Sequence, residues 1–226
     1  MATLRQITRD ALRVLTFREP SREIAVSWQA YLLFGLVVTW VAGVGRYWDS
    51  PRADLWQHLG LGSVAYVFVL AFILWVLLIP LKPQRWSYRT VLIFITFTSP
   101  PALLYAIPVE RFMSMGAAQS ANAWFLAAIA TWRVALLVWF LRRIARLPGV
   151  TVFVATLLPL TLIVVTLSIL NLEHVVFDLM AGIAPEQRSP GDMAYSVVLT
   201  LAIFSMLTFP LLLVGYAVLA VRARRS

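Results

Sequence analysis

One charge stands where a charge is costly. Arg133 lies in the stretch ATWRVALL, just past the middle of a long apolar run and more than two helical turns short of Arg142. A guanidinium at the centre of a membrane-spanning helix costs about 2.5–3.5 kcal/mol on insertion scales. No acidic residue is expected at its depth. The preceding apolar run contains TFTSPPALLYAIPVERF, Thr96 to Phe112, and carries complementary chemistry. Pro100 and Pro101 have no amide hydrogen, and each ring clashes with the carbonyl four residues earlier. The carbonyls of Thr96 and Phe97 therefore lose their ordinary partners, and the hydroxyls of Thr96, Thr98 and Ser99 gather at the same level. Groups left unsatisfied in lipid cost several kcal/mol each, so they must face protein or water. The expected arrangement has the Arg133 guanidinium hydrogen-bonded to the carbonyls freed by Ser99-Pro100-Pro101. Arg133, Thr96, Thr98, Ser99, Pro100 and Pro101 are thus a candidate binding set for an anion or polar ligand near the midplane. The competing readings are a structural lock between two helices and an arginine that snorkels to the headgroups.

A second constellation involves both histidines. Asp54 and His58 stand at i, i+4, while Asn171, His174 and Asp178 stand at i, i+3, i+7 on one helix face. Neutral imidazole beside carboxylate is metal-ligand chemistry or a proton relay. His58, His174, Asp178 and Asp54 are therefore candidate metal ligands, and a haem between His58 and His174 is a further reading. Against both stands the scatter of these residues over separate loops, without an HExxH pattern. Helix ends paired through Arg46 or Arg111 are the simpler account. The chain has no cysteine, so disulfides, thiolate nucleophiles and zinc-thiolate or iron–sulfur sites are excluded. It also lacks GxSxG, a Walker loop and a Gly-rich phosphate cradle. No cofactor is expected, and a non-enzymatic role is favoured over catalysis.

The elements that must position these residues follow from hydropathy. Of 226 residues, 61% are hydrophobic and 13% charged, against about a quarter charged in a soluble domain. The apolar residues fall into six runs of roughly spanning length. They are placed at Val26–Arg46, His58–Leu81, Tyr88–Val109, Asn122–Leu141, Val150–Leu170 and Met193–Val221. Pro159 interrupts the fifth, which neighbouring helices can tolerate. The expectation is an all-α, polytopic membrane bundle of six transmembrane helices over residues 25–226, preceded by a basic amphipathic segment over residues 1–24.

Orientation comes from lysine and arginine. Fourteen fall in the N-terminal segment, the second and fourth loops and the C-terminal tail, and four fall in the alternate loops, with Arg133 inside a span. This alternation places both termini in the cytoplasm of a cytoplasmic-type (inner) membrane. It also assigns the net charge of +9 to orientation rather than to nucleic acid. Met1 to Ile24 is too polar for the apolar core of a cleavable signal. Instead, Leu4, Ile7, Ala11 and Leu15 recur at helical spacing beside an Arg5, Arg9, Arg13 stripe. That pattern predicts an amphipathic helix on the cytoplasmic leaflet, or alternatively one packed on the ends of the bundle. Membrane lipid is the expected partner, with membrane proteins or further copies of the chain beside it.

The N-terminal layout resembles a known family. A basic helix, the stretch ALRVLTFREPSREI with an aromatic-proline lead into the first span, and a compact bundle without soluble domains look like the bacterial relatives of the Yip1 family. Members of that family usually show five spans, whereas six are read here, and the aspartate-aromatic-glycine-proline sequence of the family is not found. The resemblance implies a small helical membrane protein with scaffolding or trafficking-like roles, and it carries over no functional residue. The leading expectation is a non-enzymatic scaffold or accessory subunit. The alternatives are a small transporter or channel using Arg133 and the broken third helix, and a metal or haem membrane enzyme.

Overall fold

The computed structural model describes residues 2–48, 54–170 and 193–225. Among these the chain is all-helical, with six helices long and apolar enough to cross a membrane. They lie at Trp28–Tyr47, Leu61–Leu81, Tyr88–Ala106, Gly116–Arg143, Gly149–Ile169 and Leu199–Arg225. We label the α-helices in chain order: α1 Leu4–Leu15, α2 Glu23–Val26, α3 Trp28–Tyr47, α4 Leu55–His58, α5 Leu61–Leu78, α6 Tyr88–Phe97, α7 Met115–Arg143, α8 Gly149–Ile169 and α9 Met193–Arg225. Short 3-10 turns occupy Ile79–Leu81, Pro100–Ala106 and Val109–Arg111.

The largest departure from the expected boundaries is at α7, which starts at Met115 rather than near Asn122. Its first turns, MGAAQSANA, are rich in alanine, the best helix former, yet too weakly apolar to register as a span. The third span departs in kind. It is α-helical only to Phe97, and after Thr98 and Ser99 it continues from Pro100 as a 3-10 turn.

The chain divides into two compact units. Met1–Pro108 with Thr131–Leu147 forms one, and Val109–Ala130 with Pro148–Ser226 forms the other. In the first unit α6 is the central helix, with every side chain from Val91 to Ser99 buried. A helix covered all round lies in an interior rather than at a surface, so its polar break is enclosed by the unit it belongs to. Helices α3 and α5 pack on it, and Phe94 stacks on Phe140 of α7 at 4.0 Å between ring centroids.

Close approach of α3 to α6 depends on small residues. A Cβ on Gly35 would lie 2.7 Å from the Thr96 Cβ. Gly35, Thr39 and Gly43, at i, i+4 and i+8, are all buried along one face of α3. Such small-residue ladders let helix backbones meet in an apolar medium. Gly60 joins α4 to α5 at φ +65, a left-handed conformation that glycine adopts without a Cβ penalty. A Cβ there would also meet the Trp40 carbonyl at 2.8 Å.

Tryptophans tie off helix ends in this unit. The last carbonyls of a helix lack donors of their own. Indole N–H groups supply them: Trp132 to Leu15 O at 3.2 Å, Trp40 to Leu59 O at 2.9 Å and Trp48 to Ala106 O at 3.1 Å. Trp86 donates to Trp75 O at 3.1 Å, four residues before the start of the Ile79–Leu81 turn. These tryptophans therefore act as hydrogen-bonding staples.

Helix α1 packs on α3 and α6 through Ile7, Asp10, Ala11 and Val14, all buried. Arg5, Arg9 and Arg13 remain exposed on the opposite side, and Leu4 and Leu12 are exposed between the two faces. The second unit is built on the pairing of α8 with α9. Val154, near the start of α8, meets Gly215 in the last third of α9. Pro159 and Pro210 sit inside these two helices without ending either.

Candidate functional site

The residues gathered by the break in the third span belong to the first unit. Thr39 of α3 donates to Ser99 Oγ at 2.8 Å and shares that hydroxyl hydrogen with Gly35 O, also at 2.8 Å. Thr96 Oγ1 donates to Ile93 O at 2.9 Å, and Thr98 Oγ1 donates to Ile95 O at 2.7 Å. Back-bonding to the preceding turn is how a buried threonine satisfies itself in a helix. The Ser99 amide takes Thr96 O at 3.1 Å, and the Ala102 amide takes Ser99 O at 2.9 Å. Tightening into 3-10 geometry thus rescues the Thr96 carbonyl. Phe97 is the residue whose i+3 and i+4 positions are both proline, so its carbonyl has no local amide to receive.

Arg133 reaches this break, but by a different contact from the one expected. Its Nε donates to Thr98 Oγ1 at 3.3 Å. The expected carbonyl acceptors are replaced by a hydroxyl, for a physical reason. The 3-10 turn uses Thr96 O, while Thr98 Oγ1 has spent its hydrogen on Ile95 O and turns its lone pairs outward. An acceptor that has already donated suits a cation. Of the six candidate residues, Arg133, Thr98, Ser99 and Thr96 are placed in or beside one polar junction, with Pro100 and Pro101 as its cause.

Tyr66, Tyr105 and Arg46 lie within electrostatic range of Arg133. The Arg46 guanidinium lies 5.1 Å from the Tyr105 ring centroid and 5.5 Å from that of Tyr47. Cations over such ring faces are attracted by the quadrupole. Among the described residues no carboxylate pairs with Arg133.

The histidine constellation is only partly within view. His58 closes α4, and Asp54 precedes that helix as its N-cap. Asp54 accepts from Trp56 Nε1 at 3.3 Å, and its amide donates to Gln57 Oε1 at 2.8 Å. His174 and Asp178, with Asn171, lie outside the described residues. Among the described residues no group of three or more His, Asp or Glu is placed to hold a metal ion.

One polar site escaped the sequence reading. Asp10 of α1 is buried and accepts from Ser21 Oγ at 2.5 Å, from Tyr31 Oη at 2.7 Å and from the Ser21 amide at 3.0 Å. Arg13 Nη1 stands 3.7 Å from Oδ1, the oxygen that accepts from the Ser21 amide, while Ser21 Oγ and Tyr31 Oη share Oδ2. Burial pushes the Asp10 carboxyl up. The hydrogen bonds from Ser21 and Tyr31, with the charge of Arg13, outweigh that and hold it below the ordinary aspartate value. The signal was present: Asp10 falls at i+3 from Ile7 and i−4 from Val14, on the apolar face rather than the basic one.

Together the fold and this junction define a class, an all-helical membrane protein with six span-length helices and a polar break in the third. No family model, curated protein or solved structure matches the chain.

Proposed function

We propose that the protein is a multi-pass integral membrane scaffold or accessory subunit, non-enzymatic, that binds lipid and membrane-protein partners. On this reading it resides in a cytoplasmic-type (inner) membrane with both termini in the cytoplasm, as the alternation of lysine and arginine implies. One observation carries the proposal. The hydroxyls of Thr39, Thr96 and Thr98 at the break are each bonded within the first unit, to a neighbouring helix or to their own preceding turn. Polar groups whose hydrogens are already committed inside the protein suit a rigid platform. The layout shared with bacterial relatives of the Yip1 family agrees with such a role.

The test pairs purification with flux. The tagged full-length protein is captured from its native membrane after mild crosslinking, and the same protein is reconstituted alone into liposomes. The scaffold reading expects a reproducible membrane-protein partner in the capture and no solute movement in the liposomes. Saturable transport by the protein alone, abolished in Arg133→Gln, would instead establish the transporter.

A further inference from the structure

We infer that the second and fourth loops together form one docking surface for the headgroups of anionic phospholipids. This names the lipid class for the lipid-binding part of the scaffold reading and rests on that part.

The fold joins two stretches that lie far apart in sequence. The Gln84 amide donates to Ala145 O at 2.9 Å. The ring of Trp86 lies 6.1 Å from that of Phe140, and its indole N–H donates to Trp75 O at 3.1 Å. The loop between the second and third spans is thereby fixed against the end of α7. Lys82 and Arg85 flank Gln84, while Arg142, Arg143 and Arg146 stand within one helical turn of Ala145 in the sequence. All five side chains are exposed. Neither 82–87 nor 142–148 contains an acidic residue, and among the described residues no ion pair reaches any of the five. One patch therefore pools the cations of two loops.

The backbone adds to this. Lys82, Arg85 and Arg146 are left-handed, at φ 48, 51 and 53. Glycine is the usual residue in that conformation, because a Cβ is unfavourable there. The chain keeps a cation at each position instead.

Depth selects the partner. Lys82 follows directly on the second span, Arg85 comes shortly before the third, and Arg142 and Arg143 end the fourth. Cations so close to span ends stand at headgroup level, where phospholipid phosphates are the nearest anions. On the orientation that the lysine and arginine alternation implies, this is the cytoplasmic leaflet, whose anionic lipids attract such clusters. Four of the five cations are arginines, whose planar fork takes two phosphate oxygens at once.

The experiment uses the full chain in neutral detergent. Native mass spectrometry counts bound lipid, and thermal unfolding is titrated with phosphatidylglycerol or phosphatidylcholine across a salt series. The expected result is saturable binding of phosphatidylglycerol in preference to phosphatidylcholine, weakening as salt rises. Each neutralised cation is expected to weaken it about fivefold. Lys82→Gln with Arg85→Gln, and Arg142→Gln with Arg146→Gln, should therefore each lose about tenfold or more. Neutralising Arg222, Arg224 and Arg225, three cations that belong to neither loop, should leave binding unchanged. Phosphatidylglycerol binding that survives in both loop variants, or that falls equally when the tail is neutralised, overturns this site and leaves lipid binding in place. Absence of saturable binding by either lipid overturns the lipid-binding reading as well. Capture of a protein partner is untouched by either result. Should a loop variant not fold, the wild type decides: binding independent of salt, or equal for the two lipids, overturns the assignment.

Discussion

Asp10 shows how much one carboxylate can do in a basic helix. It is fully enclosed, and its two oxygens gather Ser21, Tyr31 and Arg13, which joins α1 to the start of α3 and to the turn between them. Tyr31 is fully buried, so truncation of Asp10 strands its hydroxyl. Asp10→Ala is expected to destabilise the purified protein by about 1–3 kcal/mol in thermal unfolding near neutral pH. The pH dependence has a fixed sign. A carboxyl whose folded value lies below its unfolded value stabilises the fold above the unfolded value and loses that contribution as pH falls through the folded one. The wild-type protein should therefore lose stability as pH drops below about 4, the ordinary aspartate range. Asp10→Ala should lack that part of the decline, and unfolding profiles of the two proteins across this range make the comparison. Its spacing on the apolar face was legible, but a lone acid among arginines reads first as a surface ion pair, and only the fold brings Tyr31 to it.

At the scale of elements, what the chain announces and what it conceals differ by range. The proline pair is a local signal, and a break in the third span follows from it without further context. Adjacency of the third and fourth spans also follows, because the connection between them is short. What Arg133 would touch does not follow, since that depends on which carbonyls the 3-10 turn rescues and on where Thr98 points its lone pairs. The α3–α6 seam sits between these cases. Gly35, Thr39 and Gly43 are spaced as a small-residue ladder in plain sight, yet only the structure shows that Thr96 of α6 fills the notch at Gly35. Gly35→Ala would drive a methyl into the Thr96 side chain, itself buried and bonded to Ile93 O. The expected cost is about 1–3 kcal/mol from overpacking, read as a lowered unfolding temperature of the detergent-purified protein. Unchanged stability would mean that α3 and α6 do not approach this closely.

For the whole molecule, class and span count were legible because hydropathy acts over some twenty residues at a time and averages out local irregularity. The early start of α7 was not, since alanine-rich turns form helix without being strongly apolar. Orientation rests on charge alone and invites a direct check. The chain contains no cysteine, so single cysteines can be introduced without removing any. With both termini in the cytoplasm, Ser114→Cys, between the third and fourth spans, should react with a membrane-impermeant maleimide on intact cells. Gln84→Cys and Arg146→Cys should react only after permeabilisation. The reverse pattern would invert the topology, and with it the side of the membrane on which α1 packs against α3 and α6.

The account turns on the polar junction between the third and fourth spans, where the Arg133 guanidinium donates to the Thr98 hydroxyl beside the broken backbone. Its most direct test is a double-mutant cycle on Arg133→Gln and Thr98→Val, with unfolding free energies measured for the wild type, each single variant and the pair. The account predicts a favourable coupling of about 0.6 kcal/mol, and up to about 1.7, the range of such hydrogen bonds between membrane helices. Strict additivity, within about 0.3 kcal/mol, would contradict it and leave Arg133 as a side chain that finds its solvation elsewhere.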